Sequence, residues 1–125
     1  MPRCLQFLKN GFTVYGFDTD LTKIAQLKNK NSYLTNVDKK DIKKYINKKF
    51  FVFNTFEKIK YLDFIIICLP TPLKNKNLPD LSIVKNVLKK IYKFLQFKQC
   101  ISLESTTYPG STEELFLPLL KKNFF

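Results

Sequence analysis

Leu103-Glu104-Ser105-Thr106-Thr107-Tyr108-Pro109-Gly110-Ser111-Thr112-Glu113-Glu114 joins the end of a strand to the start of a helix. The strand is Cys100-Ile101-Ser102-Leu103-Glu104, and the turn after it is rich in hydroxyls and closed by Pro109-Gly110. Ser111 and Glu114 have the spacing of a capping box, in which a Ser and a Glu three residues later satisfy each other's free amides. In an open α/β sheet, ligands bind beyond the carboxyl ends of the strands. A plain loop explains one or two polar residues there. It does not explain a carboxylate followed by the hydroxyls of Ser105, Thr106 and Thr107.

Upstream, helical and strand patterns alternate, which specifies an α/β domain with a mainly parallel sheet. Residues 3–10 read as the end of a helix stopped by Asn10-Gly11, and residues 12–17 as a strand. Asp20 caps a helix carrying Leu21, Ile24, Ala25 and Leu27, and Asp38 caps one carrying Ile42, Tyr45 and Ile46. Residues 50–53 form a short strand. Asn54 and Glu57 cap a helical turn before the strand at 63–69. Pro70-Thr71-Pro72 ends that strand, because neither proline can donate to a ladder. After the polar loop from Lys74 to Pro79, Asp80 caps the clearest helix, with Val84, Val87, Leu88, Ile91, Tyr92 and Leu95 as a core stripe. The last helix holds Leu115, Phe116, Leu119 and Leu120 and is kinked by Pro118.

The 125 residues suit one small domain, and 45% hydrophobic residues supply a core. No apolar run approaches the roughly 20 residues that span a bilayer, and no secretory signal is visible. Cys4, Cys68 and Cys100 lack metal-type spacing and lie in apolar runs, which reads as buried, reduced thiols in a cytoplasmic protein. The net charge of +12 suggests nucleic acid, but the excess is almost all Lys on helix faces such as Lys39, Lys40, Lys43 and Lys44. Arg3 is the one side chain able to make a planar bidentate contact. Phe7, Phe12, Phe17, Phe50 and Phe53 sit in apolar runs and read as core. A solvated lysine surface, with neither nucleic acid nor membrane as partner, is the reading these features favour.

Glu104-Ser105-Thr106-Thr107-Tyr108-Pro109-Gly110, together with Gly16-Phe17-Asp18-Thr19-Asp20 and Ile65-Ile66-Ile67-Cys68-Leu69-Pro70-Thr71-Pro72-Leu73, resembles the nucleotide-sugar 6-dehydrogenases. This family oxidises UDP-glucose, UDP-N-acetylhexosamines and GDP-mannose. The wording looks most like its UDP-N-acetylglucosamine dehydrogenase branch. The resemblance implies a Rossmann-like, doubly wound parallel sheet that takes NAD. Asp18, at a strand end, would accept hydrogen bonds from the adenosine ribose and repel a 2′-phosphate, with Lys23 beside the adenosine. Pro70 and Thr71 would line the ribose and pyrophosphate. Ser105 and Thr106 would approach the nicotinamide, with Thr106 also able to order a catalytic water and Glu104 to orient neighbouring hydroxyls. The plainer alternatives are a turn cap for Asp18, a surface position for Lys23 and a structural loop at residues 68–72.

A complete dinucleotide fold opens with a strand and Gly-x-Gly-x-x-Gly. Gly11, Gly16 and Gly110 are the chain's glycines, and they do not form that motif. Residues 1–11 resemble the helix just downstream of it. The expectation is therefore a partial domain over residues 1–125, lacking its first strand and glycine-rich loop, without the family's substrate-binding and catalytic-cysteine domains. On that reading the isolated chain is inactive and unstable or self-associating. No catalytic nucleophile and no metal site is assigned. The parent enzyme would oxidise the C6 alcohol of a UDP-sugar to a uronate for polysaccharide precursors, as a homo-oligomer. A non-catalytic nucleotide-binding module is the first alternative, and a basic nucleic-acid-binding protein the second.

Overall fold

A computed structural model describes residues 2–34, 37–73 and 79–121. The chain divides into two compact units, Met1–Thr55 and Phe56–Phe125. The first contains α1 (Pro2–Lys9), β1 (Val14–Phe17), α2 (Leu21–Lys28), α3 (Lys39–Tyr45) and β2 (Phe50–Phe53). The second contains a 3-10 turn (Glu57–Tyr61), β3 (Phe64–Ile67), α4 (Ser82–Ile91) with a 3-10 extension (Tyr92–Phe94), β4 (Cys100–Leu103), a π-turn (Thr112–Phe116) and α5 (Leu117–Lys121). The α/β class and the parallel pairing are as the sequence predicts: β1 runs parallel to β2 and β3 parallel to β4. Of the polar loop expected from Lys74 to Pro79, residues 74–78 lie outside the described residues.

In the first unit the sheet's two faces differ because side chains alternate along a strand. Phe50 and Val52 point into a core with Leu5 and Leu8 of α1, Ile24 and Leu27 of α2, Val37, and Ile42 of α3. Gly16 stands opposite Val52 in register. A Cβ at Gly16 would meet the Phe50 ring at 3.2 Å, so the ring of this fully buried residue occupies the space a side chain would need. On the other face Tyr15 packs edge-on against Phe51 and Phe53, each at 5.4 Å, and Phe17 stacks on Phe53 at 5.7 Å.

Two helix ends use the same device. Gly11, at φ +91, lets Phe12 N–H donate to the Phe7 carbonyl and Gly11 N–H to that of Leu8, which is a Schellman cap. Phe7 and Phe12 then meet edge-on at 5.9 Å, the hydrophobic contact this cap favours. These rings are therefore exposed cap residues rather than core, and the strand begins at Val14 instead of Phe12. At the end of α2, Lys30 occupies the equivalent left-handed position at φ 61, with Asn31 N–H donating to Gln26 and Lys30 N–H to Leu27.

In the second unit the α4 stripe is buried at Val84, Leu88 and Ile91, with Leu81 and Leu95 at its ends. Its N-cap position is Leu81, without a side-chain cap bond, rather than the expected Asp80, which lies one residue earlier and accepts from Ser82 N–H. Gln99 ties the start of β4 to the 3-10 turn by donating to the carbonyls of Ile59 and Leu62. That turn has no side-chain cap, so the Asn54 and Glu57 cap is not made. The capping box at Ser111 is not made either. Ser111 is buried, has helical angles and makes no side-chain cap bond. The helix opens as a π-turn in which Leu117 N–H reaches back to Thr112. This wider register precedes Pro118, whose ring would clash with the carbonyl four residues back in a regular α-helix. Cys68 and Cys100 are exposed and Cys4 is half-buried, correcting the expectation of buried thiols. An apolar neighbourhood in sequence does not bury the outward positions of a strand.

Gly16→Val should lower the free energy of urea unfolding by about 1–3 kcal/mol, because it overpacks the core against Phe50. Lys30→Gly should raise it by up to about 1 kcal/mol, by relieving the left-handed conformation. An unchanged midpoint in either variant would show that these contacts do not constrain the fold.

Candidate functional site

Parallel pairing brings the carboxyl ends of neighbouring strands together within each unit. In the first unit β1 leads directly into Asp18, whose N–H donates to the Phe53 carbonyl at 3.2 Å. The Asp18 carboxylate accepts from Asp20 N–H at 2.9 Å through Oδ1. Its Oδ2 lies 3.7 Å from Lys23 Nζ. Asp20 caps α2 by accepting from Thr22 N–H at 2.9 Å and Lys23 N–H at 3.3 Å, and its Oδ2 is also 3.7 Å from Lys23 Nζ. Lys23 thus stands between two carboxylates, with its ammonium 5.8 Å from the centre of the Tyr33 ring. Asp18 makes the turn that the plainer reading expects, and its carboxylate stays partly exposed at the strand end.

The local electrostatics follow from these contacts. The Lys23 amide, with Thr22 and the Lys23 charge, holds Asp20 below the ordinary carboxylate value. Burial, and then the charge of Asp18, pushes the Tyr33 phenol up, so it keeps its proton through neutrality. Tyr33 was not singled out by sequence. It has no motif, and its place beside Lys23 is set by the turn after α2.

The second unit gathers the other candidates. Glu104 N–H donates to the Ile67 carbonyl at 2.8 Å, continuing the β3–β4 ladder. One step on, Leu69 N–H donates to Ser105 Oγ at 3.0 Å. The structure therefore brings Ser105 to the loop that carries Pro70 and Thr71. The far side of that loop is closed by Asp80 N–H donating to the Pro72 carbonyl at 2.7 Å and by the bridge between Leu73 and Pro79. Glu104 accepts from Ser102 Oγ at 3.2 Å, a hydroxyl two residues before it on the same strand. Thr71 is half-buried and Thr106 exposed. Asp18 and Lys23 belong to one unit, and Pro70, Thr71, Glu104, Ser105 and Thr106 to the other. Among the described residues no three His, Cys, Asp or Glu side chains converge as metal ligands. No helix among them is long and apolar enough to cross a membrane.

An acid at the end of a parallel strand, set before a capped helix, is the ribose-binding arrangement of dinucleotide folds. Residues 1–124 match the model of the UDP-glucose/GDP-mannose dehydrogenase family, NAD binding domain, and the chain belongs to that family. It is 34% identical over 113 residues to Protein CapL of Staphylococcus aureus, covering 90% of this chain and 26% of that protein. It is 32% identical over 122 residues to a UDP-N-acetyl-D-glucosamine 6-dehydrogenase of Pseudomonas aeruginosa, covering 98% of this chain and 28% of that one. The UDP-N-acetyl-mannosamine dehydrogenase Cap5O of S. aureus superposes with a TM-score of 0.87 at 26% identity, over 99% of this chain and 30% of that chain. The chain thus spans little more than a quarter of the length of these curated relatives. NAD is the cofactor of the domain family, and a Rossmann-like fold is its architecture.

Because Asp20 is held low by its cap, its contribution to stability is full above the ordinary carboxylate range. It is lost as pH falls through the folded-state value. Asp20→Asn, which caps without titrating, should flatten the acid limb of thermal stability measured below about pH 4. An acid limb as steep as that of the parent chain would remove Asp20 from the account.

Proposed function

We propose that the chain is the cofactor-binding part of a longer NAD-dependent UDP-sugar dehydrogenase that oxidises a C6 alcohol, with a UDP-N-acetylhexosamine as the substrate class. The observation that carries this reading is the fixed Asp18 carboxylate at the end of β1. Held by Asp20 N–H, it offers acceptors to a ribose diol and adverse charge to a 2′-phosphate, which favours NAD over NADP. In the second unit, Thr71 sits between Pro70 and Pro72, whose rings fix their own backbone angles, and its hydroxyl is offered to the cofactor. Thr106 is offered likewise. Bound NAD supplies the hydride acceptor. These residues would bind and orient it.

The fit is partial. Residues 1–125 contain no Gly-x-Gly-x-x-Gly to cradle the pyrophosphate. Among the described residues β1 pairs only with β2, and β3 only with β4, so each two-stranded sheet keeps both outer edges open. Open edges accept further strands or self-associate. Polypeptide beyond these residues is proposed to supply the missing strand, the glycine loop, the substrate domain and the reacting cysteine. The homo-oligomeric parent and its cytoplasmic setting belong to the same proposal, as does the absence of a nucleic-acid or membrane partner.

The test is a chimaera in which residues 1–124 replace the matching stretch of the P. aeruginosa relative, assayed by NADH formation with UDP-N-acetylglucosamine. Asp18→Ala should raise KM for NAD by about 10- to 100-fold, the value of a lost charge-assisted hydrogen bond, with a smaller change in kcat. A folded chimaera whose KM for NAD ignores Asp18 would reject the assignment.

A further inference from the structure

The β3–β4 ladder ends in an irregular way. Its register pairs Phe64 with Cys100 and Ile67 with Leu103, and the amides of Cys100 and Glu104 donate to the carbonyls of Asp63 and Ile67. Continued regularly, that pattern would send Leu69 N–H to a main-chain carbonyl of the opposite strand. It goes instead to the Ser105 hydroxyl at 3.0 Å. A side chain therefore takes over as acceptor where the strands reach the candidate site.

We infer that Ser105 is a positioning residue: its hydroxyl fixes the Leu69–Pro72 loop and acts on bound nucleotide through Thr71 instead of touching it. The inference rests on the reading of these strand ends as a cofactor site. The loop is held at both ends. Ser105 takes the Leu69 amide, and the Pro72 carbonyl takes the Asp80 amide at 2.7 Å. Between these two anchors lie Pro70, Thr71 and Pro72, and the prolines remove backbone freedom on either side of Thr71. Of the two anchors, the one at Ser105 is made by a side chain, so one substitution removes it without touching the loop. The contact also ties the Pro70-Thr71 loop to the Ser105-Thr106 turn, although 36 residues separate its partners. Ser105 thereby moves from the set of cofactor contacts to the group that places them.

The experiment is amide hydrogen exchange on the full chain and on Ser105→Ala, Ser105→Cys and Ser105→Thr. Alkylation of the exposed Cys68 thiol, next to Leu69, serves as a second reporter. Ala removes the acceptor, Cys keeps the size with a poor acceptor, and Thr restores the hydroxyl. Exchange at Leu69 should rise by about threefold to tenfold in the Ala and Cys variants, the value of one hydrogen bond. Cys68 labelling should quicken with it, Thr should rescue both, and the amides of Leu88 and Ile91 in α4 should keep their protection. Unchanged Leu69 exchange in Ala and Cys, failure of Thr to rescue, or exchange rising equally in α4 would each overturn the inference. No nucleotide enters this measurement, so its outcome is separate from that of the Asp18 chimaera. In that chimaera the Ser105→Ala change should raise KM for NAD and Ser105→Thr should restore it. An unaltered KM in Ser105→Ala would confine Ser105 to structure.

Discussion

Main-chain hydrogen bonds between parallel neighbours are the constraint from which the candidate chemistry follows. Val14 and Asp18 donate to Lys49 and Phe53 in one sheet, and Cys100 and Glu104 to Asp63 and Ile67 in the other. Parallel pairing sets all carboxyl ends of a sheet on one side. Asp18 therefore emerges beside the end of β2, and Ser105 beside Leu69. An antiparallel pair would have put each of these residues at the start of its partner. The polar residues that follow the strands are assembled by backbone geometry before any ligand is considered.

Each site segment is then fixed by short-range devices. Asp18 is oriented by an amide two residues on, and Asp20 by the free amides of α2. The Leu69–Pro72 loop is bounded by proline rings and anchored through Ser105 and Asp80. Such preorganisation matters for a ribose or a pyrophosphate, because binding then loses less to the ordering of side chains and loops. The open edges of β1 and β3 work in the other direction. They leave each sheet with two strands among the described residues.

Much of this was legible in the sequence because it rests on local signals. Asp20, Asp38 and Asp80 are followed by helical stripes, Asn10-Gly11 stops a helix, and Pro70-Thr71-Pro72 stops a strand. The three motifs carried the family as well. What escaped was non-local. The Ser111–Glu114 spacing fits a capping box, yet burial of Ser111 and the demand of Pro118 for a wider turn replace it with a π-turn. Phe12 is as apolar as a strand residue, but the Gly11 cap claims it. The exposure of Cys68 and Cys100 depends on which sheet face is covered. The partnership of Leu69 with Ser105 depends on strand register, which neither segment encodes alone. Candidate residue types could thus be named from sequence, while the contact between Ser105 and Leu69 required the fold.

Calorimetric titration of NAD addresses the central claim most directly. It would be made with the purified chain, and with the chain extended at its amino terminus by a strand and Gly-x-Gly-x-x-Gly loop of the kind dinucleotide folds carry. The account predicts no micromolar binding by the chain alone. It predicts micromolar binding by the extended protein, abolished by Asp18→Ala. Micromolar binding by the unextended chain, or by an extended protein indifferent to Asp18, would contradict it.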